Sequence, residues 1–424
     1  MKRLVLACLA ACAASVACAE RHVLVSYTWS NRNIGDIGIH MGLLTLLRDQ
    51  LPDVPVKMLN ANAETSANYR YYEEALPPYH PKFALVSAPF GSIIGHGPYA
   101  KRKPQGTAWR KLVDRWGEFR LEQYRTGCID SFTAEKISDD LLDRFPLDVY
   151  ADLQALYPKA AKAFDDAAFV YCRDRDSINY LKQCGYTFRD NDYRPDTTVF
   201  FHRADTAFAD RFLKENGLEP EKFVTLVLRL PAWIDGKPSD MISHAVCAER
   251  LEHQLAELKD FVERVTAAGS KVLLAHETLD TLEGGLARKL LWARLSPEAQ
   301  AKTVYMDRFW TPEEALGVYR RTSVLVSEEM HSMIMAIGNE VPILHCPFAE
   351  CGRKRQMIRD MGLDDRLVDI DEPGSGAKMF EICRSVAADL PGERARLRKT
   401  AAWLETLAQK TVRRVGEIVK CGAK

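Results

Sequence analysis

His331 opens a short run of small and apolar residues directly after the apolar stretch SVLVS at 323–327. A histidine titrates near neutrality, so at such a place it can give a proton to a ligand or take one from it. Arg229 follows the apolar stretch FVTLVL at 223–228, where a guanidinium can hold a carboxylate or phosphate through paired hydrogen bonds. His276 and Glu277 follow KVLLA at 271–275, and Glu328 and Glu329 separate SVLVS from His331. Asn33, Gly35 and Asp36 follow HVLVSY at 22–27, and Lys354 lies beside Arg353 further along. Cations next to a neutral-range acid or base are the equipment for binding a small anion and moving a proton. Each residue also has a plain structural role. His331 can cap or pack, Asp36 can be a helix N-cap, and Arg229 can pair with a surface acid. Glu328 and Glu329 can be solvated or paired carboxylates, and the tryptophans can be core. Trp233 follows Arg229 closely enough to stack on a sugar face.

These residues share one feature: they follow stretches that read as strands. Strand-like runs at 22–27, 54–59, 83–87, 168–172, 223–228, 271–275, 323–327 and 341–345 alternate with helix-like ones. Alternation of this kind is the signature of an α/β fold. Ile37, Met41, Leu44 and Leu47 make one helical face after a loop at 28–35, and residues 175–184 make a helix stopped by Gly185. Residues 249–268 form a long amphipathic helix, stopped by Gly269. Thr311, Pro312 and Glu314 spell an N-cap, a first-turn proline and a capping box. Helices are expected at 376–389 and 392–419, while 98–150 reads as irregular insertions. The expected architecture is two doubly wound, Rossmann-like domains in series, with a boundary within 202–222. Such sheets bind ligands outside the carboxyl ends of their strands, beside helix N-termini. That rule selects the loops at 28–36, 89–97 (with Gly91, Gly95 and Gly97), 229–233 and 327–331, together with His276.

Composition limits the partners. Among 424 residues, 58 Lys and Arg balance 58 Asp and Glu, so no bulk field draws the chain to nucleic acid or anionic membrane. Any anion site must be a local cluster. Residues 1–19 read as a signal peptide: Lys2 and Arg3, an apolar stretch, then Ala17-Cys18-Ala19 before Glu20. Lipoprotein processing at Cys12 is the alternative. The mature chain is expected outside the cytoplasm, with no transmembrane span, and divides into 20–205, 206–390 and a C-terminal helix at 391–424. Eight cysteines remain beyond the leader, without zinc spacing, so no metal is expected; Cys172 with Cys184 and Cys346 with Cys351 are near enough in sequence to pair.

Five segments, in order, resemble the polysaccharide pyruvyl transferase family. Asn33-Ile34-Gly35-Asp36 resembles its N-x-G-D signature, Cys172-Arg173-Asp174 its R-D step and Pro195-Asp196 its P-D step. Residues 327–342 resemble its S-x-R-x-H … G-x-P block, with His331 at the histidine, and 354–363 resemble its K … L-G-L step. The resemblance spans about 23 to 370. It implies a fold like that of two-domain glycosyltransferases, with a crevice between the domains. It also implies transfer of a pyruvyl group from phosphoenolpyruvate to hydroxyls of a glycan such as an exopolysaccharide, as a ketal and without a cofactor. His331 and Arg229 then become the catalytic candidates. Asn33, Gly35, Asp36, His276, Glu329 and Lys354 become substrate-binding candidates. The chain departs from the family at Glu329, where the family carries arginine. A carboxylate close to a trianionic donor costs on the order of 4 kcal/mol per near unit pair in a partly screened site. Glu329 is therefore expected to turn away or to pair with a cation such as Arg353 or Arg355. Two other readings fit the same residues: an exported glycan-active enzyme with another donor or none, and a non-catalytic carbohydrate-binding descendant.

Overall fold

The computed structural model describes residues 23–28, 33–60, 75–76, 167–183, 190–229, 233–234, 237–238, 244–283, 285–348 and 354–421. The leader, the strand expected at 83–87, the glycines after it, the insertions at 98–150, Arg353 and the Trp233 side chain lie outside this set. In chain order the described elements begin with β1 (Val23–Thr28), α1 (Ile34–Gln50), β2 (Val56–Asn60), β3 (Ala75–Leu76), β4 (Val170–Cys172), α2 (Arg175–Gln183) and β5 (Asn191–Tyr193). A 3-10 turn (Thr197–Phe200) and α3 (Thr206–Glu215) follow. Then come β6 (Phe223–Leu228), β7 (Trp233–Ile234), β8 (Lys237–Pro238), α4 (His244–Ala267), β9 (Lys271–His276), α5 (Leu279–Glu283), α6 (Pro297–Ala301) and β10 (Thr303–Tyr305). The chain closes with α7 (Pro312–Tyr319), β11 (Val324–Ser327), α8 (Met330–Gly338), β12 (Ile343–His345), α9 (Lys354–Asp360), α10 (Ser375–Ala388) and α11 (Leu390–Cys421).

The protein is α/β with parallel sheets. Strands β1, β2 and β3 form one, β4 and β5 a second, and five strands in the order β10-β9-β6-β11-β12 the largest; β7 and β8 form a small antiparallel hairpin. Every residue of β6, β11 and β12 is buried, as expected for strands covered on both faces. From the central β6 the chain moves to β9 and β10 on one side, then crosses to β11 and β12 on the other. The topological switch therefore falls between β6 and β11. Register brings the strand ends level: Leu228 pairs with His276, Val227 with Ser327, and Ser327 with His345. The residues that follow these strands must gather at one edge.

One expected boundary shifts. Helix α1 begins at Ile34, before the face that starts at Ile37, because the Asn33 side chain accepts hydrogen bonds from the backbone N–H of Gly35 (2.7 Å) and Asp36 (3.2 Å). Asn33 is thus the N-cap, and Asp36 sits in the first helical turn. The glycines of α1 explain its close seating. A Cβ on Gly42 would lie 1.9 Å from the Thr197 carbonyl oxygen, and one on Gly35 would lie 2.3 Å from the His331 Cβ. Only a hydrogen there lets α1 lie against the 3-10 turn and against α8. The capping box at Thr311 and Glu314 is present, with Pro312 in the first turn of α7. Cys172, Cys346 and Cys383 are buried. Among the described residues no helix is long and apolar enough to cross a membrane.

Candidate functional site

Four chain segments converge on His331. It lies in the first turn of α8, 7% exposed. Its Nδ1 is 3.1 Å from Glu277 Oε1. On the other side of the ring, Arg173 Nη1 stands 3.3 Å from Nε2, and Asp196 Oδ2 is 3.8 Å from the same nitrogen. Arg173 in turn donates to Asp196 Oδ2 at 2.6 Å. The fourth segment is the start of α1, where Gly35 makes room for the imidazole and Asp36 lies within electrostatic reach of it.

The local sequence explains each placement. In Cys172-Arg173-Asp174 the aspartate caps α2, accepting from Ser177 N–H (2.6 Å) and Ser177 Oγ (2.7 Å), which leaves the arginine beside it to reach His331. In Pro195-Asp196 one carboxylate oxygen holds the 3-10 turn through Thr198 N–H (3.0 Å) and Thr198 Oγ1 (2.7 Å), while the other takes Arg173. Glu277 follows β9 and is fully buried; it accepts from Ser332 N–H and Ser332 Oγ, both at 2.8 Å, besides His331. Its backbone carbonyl accepts from Ile34 N–H at 3.0 Å, tying the start of α1 to the large sheet.

At the switch point itself, Arg229 Nη1 meets Glu329 Oε2 at 2.7 Å, and the Arg229 backbone N–H donates to Glu328 Oε2 at 2.7 Å. Glu329 therefore pairs across the switch with Arg229. Of the two cations expected from the sequence, Arg353 lies outside the described residues and Arg355 is held by Asp369 at 3.0 Å. Lys354, at the start of α9, acts electrostatically on both Asp36 and Glu329. So Asn33, Gly35, Asp36, Arg229, Glu329, His331 and Lys354 are brought to one region. Within it Asn33 is occupied as a cap and Gly35 acts by its missing side chain. His276 is different. Its ring packs against Phe309 and Trp310, with centroids 6.3 and 6.4 Å away, and burial lowers its pKa to about 4. It is a core histidine, and its neighbour Glu277 reaches the site. Arg173, Asp196, Glu277 and Ser332 complete the cluster. Sequence held a signal for the first three, in the R-D and P-D steps and the His276-Glu277 pair, but not their side-chain directions.

The electrostatics are those of a nearly closed ionic network. Burial raises the carboxyl of Asp196, but the charges of Arg173 and His331 and the Thr198 hydrogen bonds bring it down to about 2. Burial works against the charged form of Glu277 too, yet the His331 contact and the Ser332 donors hold it below the usual carboxylate range. For His331, burial favours the neutral ring, and Glu277 and Asp196 outweigh it, so the imidazole titrates above its ordinary value. Burial raises Asp36 and Glu329, and pushes Glu328 up to about 8. The acids Asp36, Asp196, Glu277, Glu328 and Glu329 thus share one region with Arg173, Arg229, Lys354 and His331. A cavity of about 510 Å³ lined by Asp49, Gln50, His202, Glu405 and Arg413 among others sits at the far end of α1 and includes none of these residues.

Residues 154–347 match the family model for polysaccharide pyruvyl transferase. The matched segment holds Arg173, Asp196, Arg229, Glu277, Glu329 and His331, whereas Asn33, Gly35, Asp36 and Lys354 lie outside it. The match supports a glycan-modifying transferase as the class of this protein. No curated protein matches the chain. Among solved structures, a glycosyltransferase from Rickettsia africae is similar at 8% identity and a TM-score of 0.48, covering 95% of this chain and 100% of the other. The N-terminal domain of Candida albicans trehalose-6-phosphate phosphatase is similar at 10% identity and a TM-score of 0.49, covering 95% and 97%. The Methanocaldococcus jannaschii UDP-GlcNAc 2-epimerase is similar at 12% identity and a TM-score of 0.41, covering 85% and 92%.

Proposed function

We propose that the protein transfers a pyruvyl group from phosphoenolpyruvate to two hydroxyls of a glycan sugar. The observation that supports this most directly is His331 in the first turn of α8, set between Arg173 and Glu277 inside the segment that matches the family. The reaction needs a proton on the enol CH2 carbon, one sugar oxygen added to the neighbouring carbon, and a second sugar oxygen bonded to that carbon as its bond to the phosphate oxygen breaks and free phosphate departs. Two hydroxyl protons are released; one ends on the new methyl group and the other on the departing phosphate, so the balance closes. His331 supplies the acid for the first proton transfer. Asp36 and Glu329, raised by burial, are stronger bases than ordinary carboxylates and would accept the hydroxyl protons. Arg173, Arg229 and Lys354 are the cations for the donor's carboxylate and phosphate. The test is a transfer assay with phosphoenolpyruvate and simple β-galactosides, read by phosphate release and ketal formation. Product from the wild type and none from His331→Ala supports the reading; no product from a folded wild type over a range of acceptors sinks it.

The Arg229–Glu329 pair favours a second reading, an exported glycan-active enzyme with another donor or none, because it neutralises the cation that a trianion would seek. This reading also suits the leader proposed at residues 1–19, since phosphoenolpyruvate is a cytoplasmic metabolite. N-terminal sequencing of protein from its host decides on the leader. A mature chain beginning at Glu20 outside the cytoplasm favours the second reading, and an intact Met1 in the cytoplasm favours the first.

A further inference from the structure

We propose that Glu277 is the positioning residue of the site: it fixes the His331 ring with Nδ1–H turned to its own carboxylate and Nε2 turned to Arg173 and Asp196. This rests on the pyruvyl-transfer reading for its catalytic consequence, but not for its structural content. The carboxylate follows the end of β9, is wholly buried, and receives three donors from the first turn of α8: His331 Nδ1, Ser332 N–H and Ser332 Oγ. Glu329 is the formal N-cap of α8, but its side chain makes no cap hydrogen bond. Glu277 takes that duty from another strand, so the helix start and the imidazole are held by the same group. Tyr319 Oη lies 3.2 Å from Ser332 Oγ, which restrains the serine in turn.

Tautomer follows from this arrangement. A carboxylate that already accepts two Ser332 donors can only accept from Nδ1, so Nδ1 carries hydrogen in either charge state of the ring. Nε2 is then the nitrogen that exchanges the proton. It faces Arg173 and Asp196, whose own pairing lies on the other side of the ring. The charged groups around His331 are Glu277 just after β9, Arg173 just after β4, Asp196 ahead of the 3-10 turn, and Asp36 from α1. Of the acids, Glu277 makes the closest contact, and Asp196 is shared with Arg173. A purely structural Glu277, serving only to cap α8, would leave His331's proton affinity to the others.

Glu277→Gln separates the two roles. Glutamine can still accept from Ser332, but its amide N–H2 then faces Nδ1 and forces that nitrogen to be an acceptor, which favours the wrong tautomer. The measurement is a pH titration of His331 in protein labelled at histidine, with the resonance identified through His331→Gln. Wild type should show Nδ1 protonated and a titration above the ordinary value of about 6.5; Glu277→Gln should lower it by about one unit or more. Glu277→Asp should give a smaller shift in the same direction, and serves if the glutamine variant fails to fold. In the transfer assay, kcat should fall on the order of 10²-fold or more with KM little changed. Its pH dependence should move with the His331 titration. An unchanged His331 titration and tautomer in both variants overturns the proposal whether or not transfer is seen. Failure of the wild type to transfer, with the His331 shift intact, overturns the pyruvyl-transfer reading alone.

Discussion

Replacing Glu329 by glutamine should turn a self-neutralised site into an anion site. Glu329 is 2% exposed and its Oε2 lies 2.7 Å from Arg229 Nη1, so the pair occupies the switch point that a donor phosphate or carboxylate would enter. Two unit charges near 4 Å interact by about 4 kcal/mol at an effective dielectric of 20. The Arg229 side chain is 32% exposed, so water screens part of this. A gain of roughly 1 to 3 kcal/mol for a bound trianion remains, which is about fivefold to 150-fold in affinity. Glutamine keeps the shape and can still accept from Arg229. Glu329→Arg, which would match the family's residue, sets a second guanidinium against Arg229 and should gain less. Calorimetry with phosphoenolpyruvate on wild type and Glu329→Gln, each in two buffers of different ionisation enthalpy, checks both affinity and proton count. Wild type should take up a proton on binding, because an anion beside Arg229 is admitted most easily when the raised carboxyl of Glu329 is protonated; the variant should take up less. Equal affinity and equal proton uptake in two folded proteins would refute the reasoning, since Arg229 would then not be the cation that a donor meets.

Three further outcomes are expected. His331→Ala should abolish transfer while changing phosphoenolpyruvate affinity by less than about tenfold, measured by the same assay and calorimetry, if the ring acts as an acid rather than as an anion ligand. Gly35→Ala should destabilise the fold by about 1 to 3 kcal/mol, read by denaturant unfolding, because its Cβ would lie 2.3 Å from the His331 Cβ and α1 or the imidazole must move. Stability should fall as pH drops from 6.5 towards 4, because burial lowers both His276 and His345 to about 4 and the unfolded chain binds their protons first. The loss should reach about 3 kcal/mol per histidine. His276→Phe should remove about half of that slope in pH-dependent melts, and an unchanged slope would show that His276 is not held neutral in the fold.

The amino-acid order alone determined the elements and much of the site's address. Alternating apolar strands and amphipathic helices required an α/β fold, and Thr311, Pro312 and Glu314 marked the start of α7 because caps and first-turn prolines act over three or four neighbouring residues. His331, Arg229 and Asp36 were legible as residues that follow strands or open helices. What they touch was not legible. His276 and Glu277 are adjacent and both buried, yet one packs on Phe309 and Trp310 and the other holds His331. Glu329 looked for a neighbour in sequence, near 353–355, and found Arg229, a hundred residues away in the chain, because parallel pairing of β6 with β11 sets their ends level. Arg173 and Asp196 reach His331 from 158 and 135 residues away along the chain. Local hydrogen bonding is written in neighbouring residues; a charge network assembled at the ends of several strands depends on register and close seating, which only the tertiary fold decides.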